Sequence, residues 1–213
     1  MIVKSGPGQQ RSAFLLRHLR TVILLTGITG FAWEVHAHPH AFIDAKVTVH
    51  FTKAKIARLG FTWLFDEDYS ATLVAVFDVN KDGKLDTAES ELFTEHMMKV
   101  LKTSHFFVDL LSGHKRWHSD AADKMAVQVT KEGRLQLTFH LILPQPQDPT
   151  ETPFAVSVYD PTYYIEVAFD PTMPVRFTGD LDPGCSTKIE TDQTNLIYFK
   201  SVAPSVLRLI CRE

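Results

Sequence analysis

Residues 78–89 read Asp-Val-Asn-Lys-Asp-Gly-Lys-Leu-Asp-Thr-Ala-Glu, and this dodecad restricts local structure more than any other stretch of the chain. It matches D-x-[DN]-x-[DN]-G-x5-E throughout, the pattern of a loop that wraps a calcium ion in oxygen ligands. Each position then has a duty. Asp78, Asn80 and Asp82 offer side-chain oxygens, Lys84 its backbone carbonyl, Asp86 a direct or water-mediated contact, and Glu89 a bidentate carboxylate. Gly83 falls where such a loop turns sharply, a place that favours positive φ. A loop of this kind hangs between two helices, and the flanks carry that spacing: Tyr69, Leu73, Val76 and Phe77 before it, then Leu92, Phe93, Met97, Val100 and Leu101 after it. Thr87 opens the second run with Glu89 and Glu91 in its first turn, where carboxylates meet the positive end of the helix dipole. Without an ion, the same residues make an acidic, solvated turn; pattern and flanks together favour the ion.

Outside this unit the grammar is that of strands. Ala41, Ile43, Ala45, Val47, Val49 and Phe51 alternate with His40, Phe42, Asp44, Lys46, Thr48 and His50, a half-buried strand with a mostly polar outer face. The run 56–65 reads as the returning arm of a hairpin through Thr52-Lys53-Ala54-Lys55. Further strands are expected at 106–111, 124–130, 135–143, 154–159 and 163–169, with shorter extended pieces toward the C-terminus. Pro144, Pro146, Pro149 and Pro153 read as a connecting loop. Many short strands with helices confined to one place predict an α+β protein: an antiparallel β-sandwich-like domain with an inserted EF-hand-like helix-loop-helix over about residues 66–103. No internal repeat or low-complexity linker divides it, so residues 38–213 are expected to be a single domain.

Residues 1–37 have the make-up of a cleavable export signal. Lys4, Arg11, Arg17 and Arg20 precede an apolar stretch from Thr21 to Trp33, and Val35-His36-Ala37 offers a small-x-small cleavage site. The apolar stretch is short for a membrane span, which needs about 20 residues. The expected product begins at His38, is soluble, and resides in the bacterial periplasm. Removing the signal takes four of 22 basic and one of 25 acidic groups, leaving 18 against 24 and a net charge of -6. Such a balance argues against a nucleic-acid partner. Cys185 and Cys211 are the only cysteines; an even count in an exported chain is consistent with one disulfide, and two buried thiols are the alternative. Calcium is plentiful outside the cytosol, so a single unpaired loop with an affinity of roughly 10⁻⁴ to 10⁻³ M would still fill.

Several segments together resemble a known family: His38-Pro39-His40-Ala41-Phe42-Ile43-Asp44, Phe65-Asp66-Glu67, the loop at 78–89, and Val158-Tyr159-Asp160-Pro161-Thr162-Tyr163-Tyr164. They are similar to a bacterial periplasmic family of unknown function labelled as the periplasmic component of an uncharacterised ABC-type transport system, often encoded beside NicO-type nickel/cobalt transporters. The resemblance covers essentially the whole exported chain and implies a role near transition-metal transport, with a membrane metal transporter as partner. His114 and His118, around Trp117, are not part of it.

Cleavage after Ala37 would place an α-amine and the imidazoles of His38 and His40 within three residues, donors that suit zinc, nickel, cobalt or copper rather than calcium. Pro39 removes the amide that a square-planar amino-terminal chelate must deprotonate, whereas chelation by the amine and the His38 imidazole stays open. Asp44 shares a strand face with His38 and His40 and is expected to join as ligand or as orienter of an imidazole; solvated histidines on a strand edge are the alternative. His96 flanks the apolar stripe of the second helix, His105, His114 and His118 are candidates to converge, and His50 and His140 read as surface residues. Asp160 and its tyrosines read as a turn between strands rather than a cleft. No H-E-x-x-H, G-x-S-x-G or phosphate loop is present. The expected function is therefore a calcium-binding, non-enzymatic accessory for transition-metal transport or homeostasis; the alternative is a calcium-stabilised protein-interaction module without a transition-metal role.

Overall fold

The alternating segment after residue 40 becomes the spine of the larger of two sheets. In the computed structural model, which describes residues 39–180 and 184–211, strand β1 (Ala41–Thr52) buries every second side chain from Ala41 to Phe51. The expected signal segment and His38 lie outside the described residues. β1 turns through Lys53 and Ala54, both at positive φ (51° and 59°), into β2 (Lys55–Phe65), its antiparallel neighbour. A two-residue turn with both residues left-handed matches the twist of the strands it joins.

The helical unit follows. Helix α1 (Glu67–Phe77) starts at Asp66, whose Oδ1 accepts the Tyr69 N–H; helix α2 (Thr87–Thr103) starts at Asp86 in the same way. Asp66 also accepts the Phe42 N–H on Oδ2 at 2.7 Å, so one carboxylate fixes both the helix start and the beginning of β1. The chain leaves α2 through His105, Phe106 and Phe107, all at positive φ (50°, 57° and 54°) without a glycine. Left-handed backbone costs about 1–2 kcal/mol per such residue. Phe106 is fully buried there, so its side chain offsets part of that strain.

Strands β3 (Val108–Ser112) and β4 (Lys115–Trp117) form a hairpin, and β5 (Ala122–Val129) pairs with β6 (Leu135–Gln147). β7 (Phe154–Val158), β8 (Ile165–Phe169), β9 (Val175–Gly179), β10 (Ser186–Thr191) and β11 (Ser205–Ile210) complete the described residues. The larger sheet runs β5-β6-β2-β1-β8, with β9 also on β1; the smaller runs β10-β11-β7-β3-β4. Both sheets and both helices feed one apolar core, which takes Ile43, Trp63 and Phe139 from the first, Leu110, Val156 and Leu207 from the second, and Phe77, Phe93 and Leu101 from the helices. The protein is thus α+β and mostly antiparallel, with two α-helices among the described residues.

Two departures from the sequence expectations have local causes. β8 and β9 pair with β1 in parallel, one after the other along the same edge: Ala41–Ala45 faces β8 and Val47–Phe51 faces β9. Asp170, between the two short strands, donates its N–H to Ala45 O, and Val47 donates to Pro174 O, so the break in the edge is itself hydrogen-bonded. Pro144 and Pro146 lie inside β6 rather than in a loop. They are tolerated because β5 pairs with β6 only over 135–141, leaving one side of the strand without a neighbour where the prolines sit.

Cys185 and Cys211 are bonded across a separation of 26 residues, tying the entry of β10 to the exit of β11. A loop of that size contributes about 3 kcal/mol through the entropy of the unfolded chain. Replacing both cysteines by serine is expected to lower the denaturant-derived unfolding free energy by roughly that amount, with the secondary structure by circular dichroism unchanged.

Candidate metal centre

The 78–89 loop is held by its own backbone amides. Asp78 accepts the Asp82 N–H on Oδ1 (3.1 Å) and the Gly83 N–H on Oδ2 (2.7 Å); Asn80 accepts from Asp82, and Asp82 from Lys84. Glu89 is buried and spans the loop: Oε1 takes the N–H groups of Val79 and Asn80 (2.8 and 3.1 Å), and Oε2 that of Asp86 (2.9 Å). Asp86 returns the bond by accepting the Glu89 N–H, a reciprocal cap at the start of α2. Gly83 has φ +79°, and a Cβ built on it meets nothing within 4 Å, so the backbone angle rather than crowding demands glycine. The donor set fits a hard cation, with carboxylates of Asp78, Asp82, Asp86 and Glu89 and a carbonyl at Lys84 in one short loop. As placed, those carboxylates rest on amides. Among the described residues no three histidine, cysteine, aspartate or glutamate side chains gather as a metal-holding group.

The second set of candidates is dispersed. His38 lies outside the described residues. His40 is exposed, donates its N–H to Tyr164 O at 2.8 Å and sets its ring 4.9 Å from that of Tyr164. Asp44, four residues along an extended segment, is displaced from it by about 13 Å at ~3.3 Å per residue. Its carboxylate pairs with Arg134 Nη2 at 2.8 Å, while Arg134 also donates to the carbonyls of Phe65 and Leu64. Sharing a strand face therefore does not bring Asp44 to His40; an open cleft of about 460 Å³ instead gathers His40 with Asp66, Glu67, Asp68 and Arg134.

Two of the three histidines after α2 meet. The rings of His105 and His118 stack 4.4 Å apart, and each Nδ1 faces a carboxylate: Asp120 at 2.7 Å and Asp109 at 3.0 Å. His114 is exposed in the β3–β4 turn. Asp109 is buried and also binds Arg116 and the Tyr159 hydroxyl, while Arg116 reaches Asp192 at 2.5 Å and Asn195 donates to the Tyr159 oxygen. Burial first, then the bond to Asp109, pushes the Tyr159 hydroxyl up to about 12. Tyr159 is thus a neutral donor at ordinary pH, and the network ties β3, β4 and β7 together. Asp160 accepts from Thr162 and from the Ile165 N–H, closing the turn into β8.

His50 and His140, read as surface residues from sequence, form a pair on the outer face of the larger sheet. Their ring centres are 5.1 Å apart. The register sets Gly60 directly opposite His140, and a Cβ on Gly60 would come within 3.2 Å of His50 Nε2 and 3.4 Å of His140 Nε2. His50 Nδ1 meets Thr178 Oγ1 at 2.6 Å, and His140 Nδ1 stands 3.8 Å from Asp123 Oδ1. His50 Nε2, His140 Nδ1 and Asp123 Oδ1 are buried with no hydrogen-bond partner. Burial is the largest influence holding both imidazoles below their ordinary value; next comes His140 for His50, and Arg58 for His140. A signal for this pair does exist in the sequence, since a glycine flanked by inward-alternating strands leaves room for neighbours, but only the register between β1, β2 and β6 reveals which.

A model of the family described as "Protein of unknown function (DUF1007)" matches residues 23–202. An uncharacterized protein of Haemophilus influenzae (strain ATCC 51907 / DSM 11121 / KW20 / Rd) is 26% identical over 172 residues, covering 80% of this chain and 81% of the relative. An "Uncharacterized 15.5 kDa protein in trpE 3'region" of Spirochaeta aurantia is 28% identical over 103 residues, 48% of this chain and 72% of its own length.

Two outcomes test these contacts. Asp109→Ala leaves the Tyr159 hydroxyl without its buried acceptor and Arg116 with Asp192 alone, and is expected to cost about 1–3 kcal/mol of unfolding free energy, with Asp109→Asn costing less. His50 and His140 titrate lower in the fold than the 6.5 of a free imidazole, so the unfolded chain binds more protons just below that pH. Their contribution is intact above about pH 6.5 and is lost as pH falls toward the folded values. The melting temperature should decline over that window in the native protein and decline less in His50→Asn/His140→Asn.

Proposed function

The chain belongs to the DUF1007 family of unknown function, and from that starting point we propose that it is a calcium-binding, non-enzymatic periplasmic protein that assists the transport or homeostasis of a transition metal. The observation that carries the proposal is the 78–89 loop, in which every residue type required for calcium coordination stands in order between two helices. Calcium acts as a structural clip. On binding, the ion draws Glu89 and Asp78 from their amides, exchanging charge-assisted hydrogen bonds for coordination by a dication, and its binding free energy adds to the stability of the fold. The helix-loop-helix is in this reading an EF-hand-like insertion between two layers of a sandwich.

Export to the periplasm is supported by the Cys185–Cys211 disulfide, since such bonds persist in oxidising compartments. No helix among the described residues is long and apolar enough to cross a membrane. The transition-metal reading rests on the imidazoles and amine that cleavage before His38 would expose, and on an acidic cleft in which His40 lies with Glu67 and Asp68. Nickel, cobalt, zinc or copper is the cargo, and a membrane metal transporter is the partner that receives or delivers it.

A second reading, a calcium-ordered interaction module, has one observation in its favour. A cavity of about 460 Å³ opens between the two helices and the larger sheet, lined by Trp63, Leu73, Val76, Met97 and Val100 among others, and the Trp63 Nε1–H lies buried without an acceptor. An apolar segment of a partner carrying one carbonyl would suit it.

Calorimetric titration of the exported protein separates these readings. Calcium is expected to bind once per chain, and Glu89→Gln, which removes the bidentate carboxylate, to weaken it at least tenfold; unchanged affinity would sink the loop assignment. Transition-metal binding that disappears in His38→Ala/His40→Ala supports the accessory role, whereas no transition-metal binding by any variant leaves the interaction module.

A further inference from the structure

We propose that His50 and His140 form a binding site for a first-row divalent transition-metal ion, seated over Gly60 on the outer face of the larger sheet. For its place in transport the site rests on the transition-metal reading above, but its existence is argued from geometry alone.

Three features converge. The first is separation: at metal–nitrogen distances of about 2.1 Å, two imidazoles on one tetrahedral ion have ring centres about 5 Å apart, and these rings stand at 5.1 Å. The second is approach. Nε2 of His50 and of His140 would stand 3.2 and 3.4 Å from a Cβ at residue 60, so glycine is what lets both nitrogens come to the same side of β2. Any larger residue at position 60 would put its Cβ into contact closer than ordinary packing with both rings.

The third is the state of the remaining ring atoms. Thr178 Oγ1 lies 2.6 Å from His50 Nδ1. With Nδ1–H donating to that oxygen, Nε2 carries a lone pair, and its burial without a partner is the condition a metal ion relieves. The other tautomer would bury an N–H with no acceptor. On the far side, Asp123 faces His140 Nδ1 at 3.8 Å; closing that gap gives the carboxylate–imidazole pair that commonly orients a metal-bound histidine through its second nitrogen.

The site offers two protein ligands, fewer than the four of a closed structural site. Imidazole nitrogen selects zinc, nickel or copper over calcium, so this site and the 78–89 loop take different ions. Arg58, paired with Asp123 at 3.5 Å, and Lys124 add positive charge nearby and hold the affinity down.

The test uses the exported protein saturated with calcium. Copper(II) electron paramagnetic resonance is expected to show coupling to imidazole nitrogens, and zinc calorimetry a site that survives His38→Ala/His40→Ala but weakens at least tenfold in His50→Asn/His140→Asn. Gly60→Ala, which crowds both rings without removing a ligand, should weaken it similarly. Because either variant could perturb the sheet, nitrogen-15 imidazole spectra of the unaltered protein provide a second measurement: zinc should shift the Nε2 resonances of His50 and His140. Binding unchanged in His50→Asn/His140→Asn, or no shift at those two rings, overturns the site. Loss of binding only in His38→Ala/His40→Ala overturns it too while sparing the transition-metal reading, and no zinc or copper binding at all removes both.

Discussion

The pairing of β1 along both of its edges is the constraint on which the rest of the structure depends. One edge is taken by β2 over nearly its whole length, the other by β8 and then β9. With both edges satisfied, its inward residues from Ala41 to Phe51 become the floor of the core, and its outward residues become fixed points for chemistry. His40, Asp44 and His50 owe their different surroundings to position along this strand: the first beside the start of α1, the second under Arg134, the third beside Thr178 of β9. Asp66 belongs to the same arrangement, since its two oxygens join the beginning of β1 to the first turn of the helical unit.

The loop between the helices is stable through its own backbone amides. Four carboxylates in one dodecad repel one another, and each of Asp78, Asp82, Asp86 and Glu89 is found accepting at least one backbone N–H of the same loop. The amides supply partial positive charge where an ion would supply a full one. Under the proposed calcium reading, binding would be a competition between two ways of neutralising the same oxygens, which favours modest affinity.

Much of this was legible in the sequence where the signal is local. Period-two alternation located β1, the four-residue break after it located β2 as the returning arm of a hairpin, helical spacing located α1 and α2, and the loop announced its glycine. The parallel seats of β8 and β9 were not legible, because nothing within a five-residue strand states which neighbour it will find. Pro144 and Pro146 misled for a related reason: a proline argues against a paired strand, and only the short reach of β5 shows that one side of β6 is unpaired there. The candidate site divided along the same line. Asp44 sits on the expected face of β1, yet extended geometry and Arg134 keep it from His40, whereas His50 and His140, far apart in sequence, meet through strand register and the absence of a side chain at Gly60.

The turn through His105, Phe106 and Phe107 links the helical unit to the smaller sheet, and its left-handed backbone is unfavourable by itself. It persists because Phe106 is enclosed by the common core and because the carbonyl of Phe107 receives the N–H of Tyr159 at 2.9 Å. Neither support exists until α2 and β7 are both in place. The helix pair and the smaller sheet therefore cannot melt separately at modest cost, and a force applied at the 78–89 loop is transmitted through α2 to a strand that never touches it: the hinge one would expect between a helix pair and the sheets it joins is, in this protein, a rigid coupling.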